Sequence, residues 1–302
     1  TEGILKYNWA SKHYEFVPSV LVFTVAFSVD WTLSEWVRKE SWIQDRFNRL
    51  KTLTSARDIK IIVTVIKVGA GATDKESMDE RLNSLKRHLQ LDSRSFHLLT
   101  SHDISTNSTN MKKVSKYVKE NSSQYYINKI KSLKTIEKTI TEKYKGLDEH
   151  ILLARFHFKI AFYYEFQTQQ LQSLRYYRQS YNSLLNCINF TKNSDLLEQI
   201  KIIAEIIHYK ICNILLLTNS IGELFVQFKL HIRSYLNISS MYLYKHYNWI
   251  ANQYIVFAEL LQHFSISDAL PDADRGYYYQ NAARYTQKRR SSFEKINNTT
   301  TT

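Results

Sequence analysis

Residues 157–181 read His157-Phe-Lys-Ile-Ala-Phe-Tyr-Tyr-Glu-Phe-Gln-Thr-Gln-Gln-Leu-Gln-Ser-Leu-Arg-Tyr-Tyr-Arg-Gln-Ser-Tyr181, two aromatic-rich helical stripes joined by a polar turn. Ala161, Ser173 and Ser180 lie 12 and 7 residues apart, with Tyr164 and Tyr177 at the neighbouring aromatic positions. Small residues at these intervals let two antiparallel helices approach closely, which is the spacing of a tetratricopeptide (TPR)-type hairpin. Working outward, helical patterns cover roughly 149–166, 170–187, 195–217, 220–236, 241–264 and 276–296, with short connectors. The second pair follows the spacing less well. Cys212 fills the first small position, Leu224 stands where another small side chain belongs, and Phe228 takes the next aromatic slot. Residues 149–296 are therefore expected to form an all-α, TPR-like α-solenoid of degenerate repeats. The Asn/Thr stretch 297–302 reads as a disordered tail.

The first hundred residues have a different rhythm. Three β-rich runs, Ser19–Phe27, Ile59–Val68 and Ser95–Thr100, alternate with two helical patterns. The first helix, from Leu33 to Leu53, places Trp36, Trp42, Ile43, Phe47 and Leu50 near one stripe, with Asp30 as its expected N-cap. The second, about Lys75 to Leu89, spaces Met78, Leu82, Leu85 and Leu89 for one face. This order predicts a small βαβαβ domain with a mostly parallel sheet over 1–122. Ser101 to Asn110 reads as an exposed polar loop, and 123–148 as a Lys-studded helical connector. The fold class is thus α+β overall: a small N-terminal α/β domain, then an α-solenoid.

Composition agrees. Of 302 residues only six are Gly and two Pro, so long uninterrupted helices are expected, and 21 Tyr with 15 Phe supply an aromatic core. The net charge of +13 is spread evenly, +7 over residues 1–150 and +6 over the rest. No dedicated nucleic-acid footprint results, although acidic proteins or anionic membranes remain open as partners. The longest apolar stretch, Val17 to Val29, is too short to cross a bilayer and contains Pro18, Ser19, Thr24 and Ser28. The polar opening Thr1-Glu2-Gly3 carries no signal peptide, and the lack of Met suggests an excised region.

Catalytic and cofactor motifs are absent from the pattern. Gly69-Ala-Gly-Ala72 follows the second strand, but Asp74 stands where a dinucleotide fingerprint needs Gly, and no Gly-Lys-Ser/Thr follows. Ten His show no metal spacing, and Cys187 and Cys212 form no CxxC and are not read as nucleophiles. No cofactor, metal or enzymatic activity is expected. Arg284, Lys288, Arg289 and Arg290 complement the C-terminus of the last helix and form a possible basic contact.

Three passages carry a resemblance. The first holds Trp9, Lys12, His13, Pro18, Asp30 and Trp31; the second holds Lys159, Ala161, Glu165, Tyr177 and Tyr181. The third holds Tyr209 and Lys210, then Phe228 and His231, then Gly276-Tyr-Tyr278-Tyr279-Gln280-Asn-Ala282-Ala283. In this order they resemble the foie gras region of the family of trafficking protein particle (TRAPP) complex subunit 11, over about residues 3–293. The resemblance implies a non-catalytic scaffold of a vesicle-tethering complex, acting in ER-to-Golgi and Golgi trafficking and in autophagy. It implies other TRAPP subunits as partners, a Rab GTPase reached indirectly through the complex core, and a cytoplasmic location at Golgi and ER–Golgi membranes. Peripheral membrane association is compatible with it, and nucleic acid is not expected. A nucleotide-binding module on the α/β half, or an RNA- or anionic-lipid-binding module using the diffuse charge, is the competing reading. In the Gly276 block, Ala282 and Ala283 are expected to permit close helix approach while the tyrosines cover the end of the stack.

Overall fold

The computed structural model describes residues 4–6, 8–69, 75–238, 242–266 and 272–300. The chain divides into two compact units: Asn8–Lys129, and Ile130 onward together with the first residues of the chain. The division falls inside the expected connector, yet one helix, α5 (Thr109–Lys143), runs through it without a break.

In the first unit a short turn, α1 (Trp9–Ser11), continues as a π-helical turn over Lys12–Phe16. Three strands follow, β1 (Val20–Ser28), β2 (Lys60–Val68) and β3 (Phe96–Thr100). They pair in parallel in the order β1-β2-β3, with Phe23 opposite Val63 and Val65 opposite Leu98. The crossovers are α2 (Leu33–Ser55) and α3 (Lys75–His88). Side chains alternate across a strand, so Val25, Phe27, Ile61, Val63 and Val65 share one face. They pack there with Trp36, Ile43 and Phe47 of α2 and Met78, Leu82 and Leu85 of α3. Central β2 is buried from Ile61 to Val65, as a parallel strand covered on both faces must be.

Three expectations change. Trp42 is 46% exposed, because it sits about 100° from the Trp36–Ile43–Phe47 stripe. The N-cap of α2 is Thr32 and not Asp30. The Thr32 hydroxyl accepts from the Glu35 amide, while the Glu35 carboxylate accepts from the Thr32 amide at 2.8 Å, a complete capping box. The Asp30 carboxylate instead lies against Gly69, whose φ of +101° suits only glycine and where a Cβ would stand 2.8 Å from Asp30 Oδ2. The polar stretch after β3 is also no loop: it holds α4 (Ser101–Ser105), capped reciprocally by Thr100 and Asp103, and then enters α5. Asp103 takes hydrogen bonds from Ser108, Thr100 and Asn110, which hold its carboxyl well below the usual range. Ser, Thr, Asn and Asp here are cap residues, so their polarity marks helix ends and not disorder.

The regular elements of the second unit, among its described residues, are all helices: the end of α5, then α6 (Leu147–Phe166), α7 (Gln170–Phe190), α8 (Ser194–Leu217), α9 (Ile221–Tyr235), α10 (Leu243–His263) and α11 (Arg275–Thr300). The hairpin α6/α7 closes where the spacing places it. Ser173 Oγ donates to the Ala161 carbonyl at 2.9 Å and Ser180 Oγ to the Ala154 carbonyl at 2.7 Å, all four residues buried. Successive turns are closed without glycine. Thr168, Asn219 and Ser265 take positive φ of 57°, 54° and 53°. In each case the next residue's amide bonds a carbonyl five positions back, to Tyr164, Leu215 and Leu261 respectively. These are Schellman caps on non-glycine residues, the price of so few glycines. Successive hairpins are tied by pairs 45 residues apart: Lys210 to Glu165, Lys201 to His246 and Arg178 to Glu223. Asn297–Thr300 continue α11 as helix where a disordered tail was expected, since each added residue of an existing helix gains a hydrogen bond. No helix among the described residues is long and apolar enough to cross a membrane.

Candidate functional site

The densest polar chemistry of the helical unit lies where α7, α8, α9 and α10 meet. The rings of His208 and His231 stack in parallel at 4.1 Å with 2° between their planes, and both are buried. Tyr181 OH stands 2.8 Å from His231 Nδ1, and His231 Nε2 stands 3.3 Å from Gln253 Oε1. A neutral imidazole has one N–H, so Tyr181 donates to Nδ1 and the Nε2–H donates to Gln253. Burial holds both rings neutral, pushing His231 down to about 3 and His208 well below its ordinary value, where the neighbouring His231 adds to the effect.

Cys212 joins this cluster, with its Sγ 3.6 Å from His208 Nε2. His208 precedes Cys212 by four residues, one helical turn, so the two share a face. The pair is no nucleophile. Burial pushes the Cys212 thiol far up and the imidazole down, so neither thiolate nor imidazolium forms near neutrality.

Beside this cluster a cleft of about 230 Å³ opens between α8 and α10, walled by Ile206, Tyr209, Val256, Phe257 and Leu260, with His208 and Gln253 also lining it. Tyr209 and Ile206 are 45% and 42% exposed at its rim. The rim is held by two bonds of 2.8 Å: Trp249 Nε1 donates to Glu205, and Lys210 pairs with Glu165. The cleft has room for a side chain or two rather than a cofactor.

The α/β unit holds a second constellation that the sequence reading missed, Ser84, His88 and Glu40. Ser84 Oγ donates to Glu40 Oε1 at 3.1 Å and His88 Nδ1 lies 2.8 Å from the same oxygen. A hydrolytic triad needs the two imidazole nitrogens divided between acid and nucleophile. Here both partners converge on one carboxylate oxygen, and the trio fastens α3 to α2. Only the Ser84–His88 spacing of four on α3 was visible in advance; Glu40 lies 44 residues before Ser84.

The remaining expected positions are mostly structural. Trp9 packs on His13 with ring centroids 4.5 Å apart, Lys12 and Pro18 are exposed, and Trp31 stacks on Trp36. The Lys159 ammonium lies 5.6 Å from the Phe156 ring and is held below its ordinary value by burial, then by Arg155 and Lys6. Phe228 stacks on Phe257 at 4.0 Å and meets Tyr254 and Tyr278 edge-on, and Tyr177 is buried. In the Gly276 block the Gly276 amide bonds Asp274, and Tyr278 is buried with its hydroxyl on the Asp272 carbonyl. Ala282 is buried, but Ala283, Tyr279 and Gln280 face solvent, so one alanine and one tyrosine do the packing assigned to the group. Arg284, Lys288, Arg289 and Arg290 are all exposed. Ala70, Gly71 and Ala72 lie outside the described residues.

Comparison with known proteins agrees with this layout. Residues 1–108 match the family described as trafficking protein particle complex subunit 11 N-terminal domain, and residues 197–301 match foie gras liver health family 1. The subunit 11 proteins of Bos taurus, Homo sapiens and Gallus gallus are each 28% identical over 298 residues, covering 96% of this chain. The chain spans about a quarter of the length of these relatives, 25% in each case. The two matches thus fall in the order in which the motifs resemble the TRAPP subunit 11 family, an N-terminal domain of subunit 11 first and a foie gras family 1 segment after it.

Proposed function

We propose that the chain serves as a non-catalytic scaffold of a TRAPP vesicle-tethering complex, in ER-to-Golgi and Golgi trafficking and in autophagy. Other TRAPP subunits dock on the helical stack, and a Rab GTPase is reached only through the complex core. The location that follows is cytoplasmic, at Golgi and ER–Golgi membranes. The observation that carries this reading is the linked run of hairpins with an open apolar cleft between α8 and α10. Rigid stacked hairpins present a preformed surface, so binding costs little ordering entropy. The reactive-looking groups support the same reading: Cys212, His208, His231 and the Ser84 trio are committed to bonds inside the fold.

The test is capture of purified TRAPP subunits by the immobilised 302-residue chain. The reading expects at least one subunit to be retained, and I206E/Y209E at the cleft rim to lower its affinity by at least about tenfold, as for a buried interface anchor. Failure of every subunit to bind the folded chain would refute it.

A further inference from the structure

The basic segment lies in the middle of α11, not at the helix C-terminus where it was expected, and the scaffold reading leaves it without a role. Over Arg275–Thr300 the helix carries six cations, and Glu294 is its single acid. That one carboxylate is bonded to Arg290 at 2.9 Å. Lys288, Arg289 and Arg290 are exposed. Lys288 Nζ lies 4.9 Å from the Tyr285 ring, and Arg289 reaches back to Asn248 of α10 at 2.9 Å. These cations therefore gather against the first turns of α10, where Lys245 adds another over the Tyr242 ring at 5.0 Å. No acidic residue occurs between Tyr242 and Trp249.

The same end of the hairpin is apolar. Tyr242, Leu243, Phe293 and Ile296 are 41%, 45%, 47% and 38% exposed. They are neighbours: the Phe293 ring lies 5.4 Å from Tyr244, which lies 5.8 Å from Tyr242. Exposed side chains of this size grouped among cations cost hydration, and they mark a contact surface.

We propose that this end of the α10/α11 hairpin is a docking surface for an anionic lipid bilayer. Charge complementarity names the sign of the partner, since the patch is cationic and Glu294, the one acid of α11, is paired. The apolar content selects a bilayer over an acidic protein. Tyrosines with aliphatic and Phe side chains between long-stemmed Lys and Arg match an interface that is apolar below and phosphate-rich above. The rings and Leu243 enter the headgroup boundary, while Lys288, Arg289 and Arg290 remain at the level of the phosphates.

The experiment is vesicle flotation with the purified 302-residue chain and no other subunit, so it can fail while the scaffold reading stands, and the reverse. Phosphatidylcholine vesicles with phosphatidylserine are expected to carry the chain up at physiological salt; pure phosphatidylcholine vesicles are not. The variant K288Q/R289Q/R290Q is expected to lower partitioning roughly a hundredfold, at roughly fivefold per cation near a charged surface. L243S/F293S is expected to lower it at least about tenfold through lost apolar insertion. K288R/R289K/R290K keeps the charge and is expected to bind like the parent. R38Q/R46Q/R49Q removes as many charges from α2 and is expected to leave flotation unchanged. Circular dichroism of each variant establishes that it folds. Equal losses in the α2 and α11 triple variants would show that only net charge matters and overturn the proposal. So would absence of flotation on anionic vesicles, whether or not the patch captures an acidic protein, or equal flotation on both lipids.

Discussion

Acidification from pH 7 to 5.5 should weaken the helical unit through the stacked histidines. His231 titrates at about 3 in the fold against an ordinary 6.5, and His208 is also held well below that value. A depressed folded value means stability is fully present above 6.5 and lost as pH falls toward the folded value. At pH 5.5 each unfolded imidazole has taken up nearly a full proton that its folded counterpart refuses. The loss is on the order of 1 kcal/mol per ring, relative to pH 7. Carboxylates change little in this window, so the histidines dominate it. Urea unfolding followed by far-UV circular dichroism at the two pH values reads the difference. His208→Phe keeps an aromatic ring against His231 and loses only long contacts, to Gln227 at 3.5 Å and Cys212 at 3.6 Å. Its pH-dependent loss should be smaller than the parent's by on the order of 1 kcal/mol, whatever its stability at pH 7. If parent and variant lose the same amount, the rings are not buried neutral and the account of this seam is wrong.

Other consequences follow from single contacts. Tyr181→Phe strips the donor from His231 Nδ1 in a buried site and should cost about 1–3 kcal/mol in the same assay. Lys201, 4% exposed, is held at about 8 against an ordinary 10.5 by burial, so stability should rise by roughly 1–2 kcal/mol between pH 8 and 9.5; Lys201→Met should abolish that rise. Thr168→Gly relieves a β-branched residue at φ +57° and should raise thermal stability by about 1 kcal/mol. Glu40→Leu removes the carboxylate that Ser84 and His88 share, and proteolysis of the α2–α3 segment should quicken.

The sequence announced periodicity and left geometry across long separations silent. The parallel βαβαβ order could be read because Ile61–Val65 is an apolar run that only a doubly covered strand tolerates, and because Met78, Leu82 and Leu85 repeat at helical spacing. The α6/α7 hairpin was legible for a stricter reason: Ser173 and Ser180 are small where two backbones must touch, and their hydroxyls find the Ala161 and Ala154 carbonyls. Ser101–Asn110 misled because the side chains that cap helices are those that fill loops. Reciprocal capping between Thr100 and Asp103 is a matter of conformation and not of composition. The site fared worst. His208, His231, Tyr181 and Gln253 come from four helices, and no local pattern joins residues 50 or 22 positions apart.

That seam also explains why degenerate repeats can still stack in one register. Leu224 and Phe228 make the α8/α9 hairpin apolar enough to slide against its neighbours, since an apolar ridge fits several grooves almost equally well. A slip of one residue would separate Tyr181 from His231 and His231 from Gln253, stranding polar groups in a dry interior at about 1–3 kcal/mol each. The ties at the rim, Lys210 to Glu165 and Trp249 to Glu205, would break in the same movement. Polar bonds therefore set the register that small-residue spacing sets in the first hairpin. A cleft whose walls come from α8 and α10 keeps its shape only if that register is unique. The buried histidines thereby hold in place the two helices that wall the cleft.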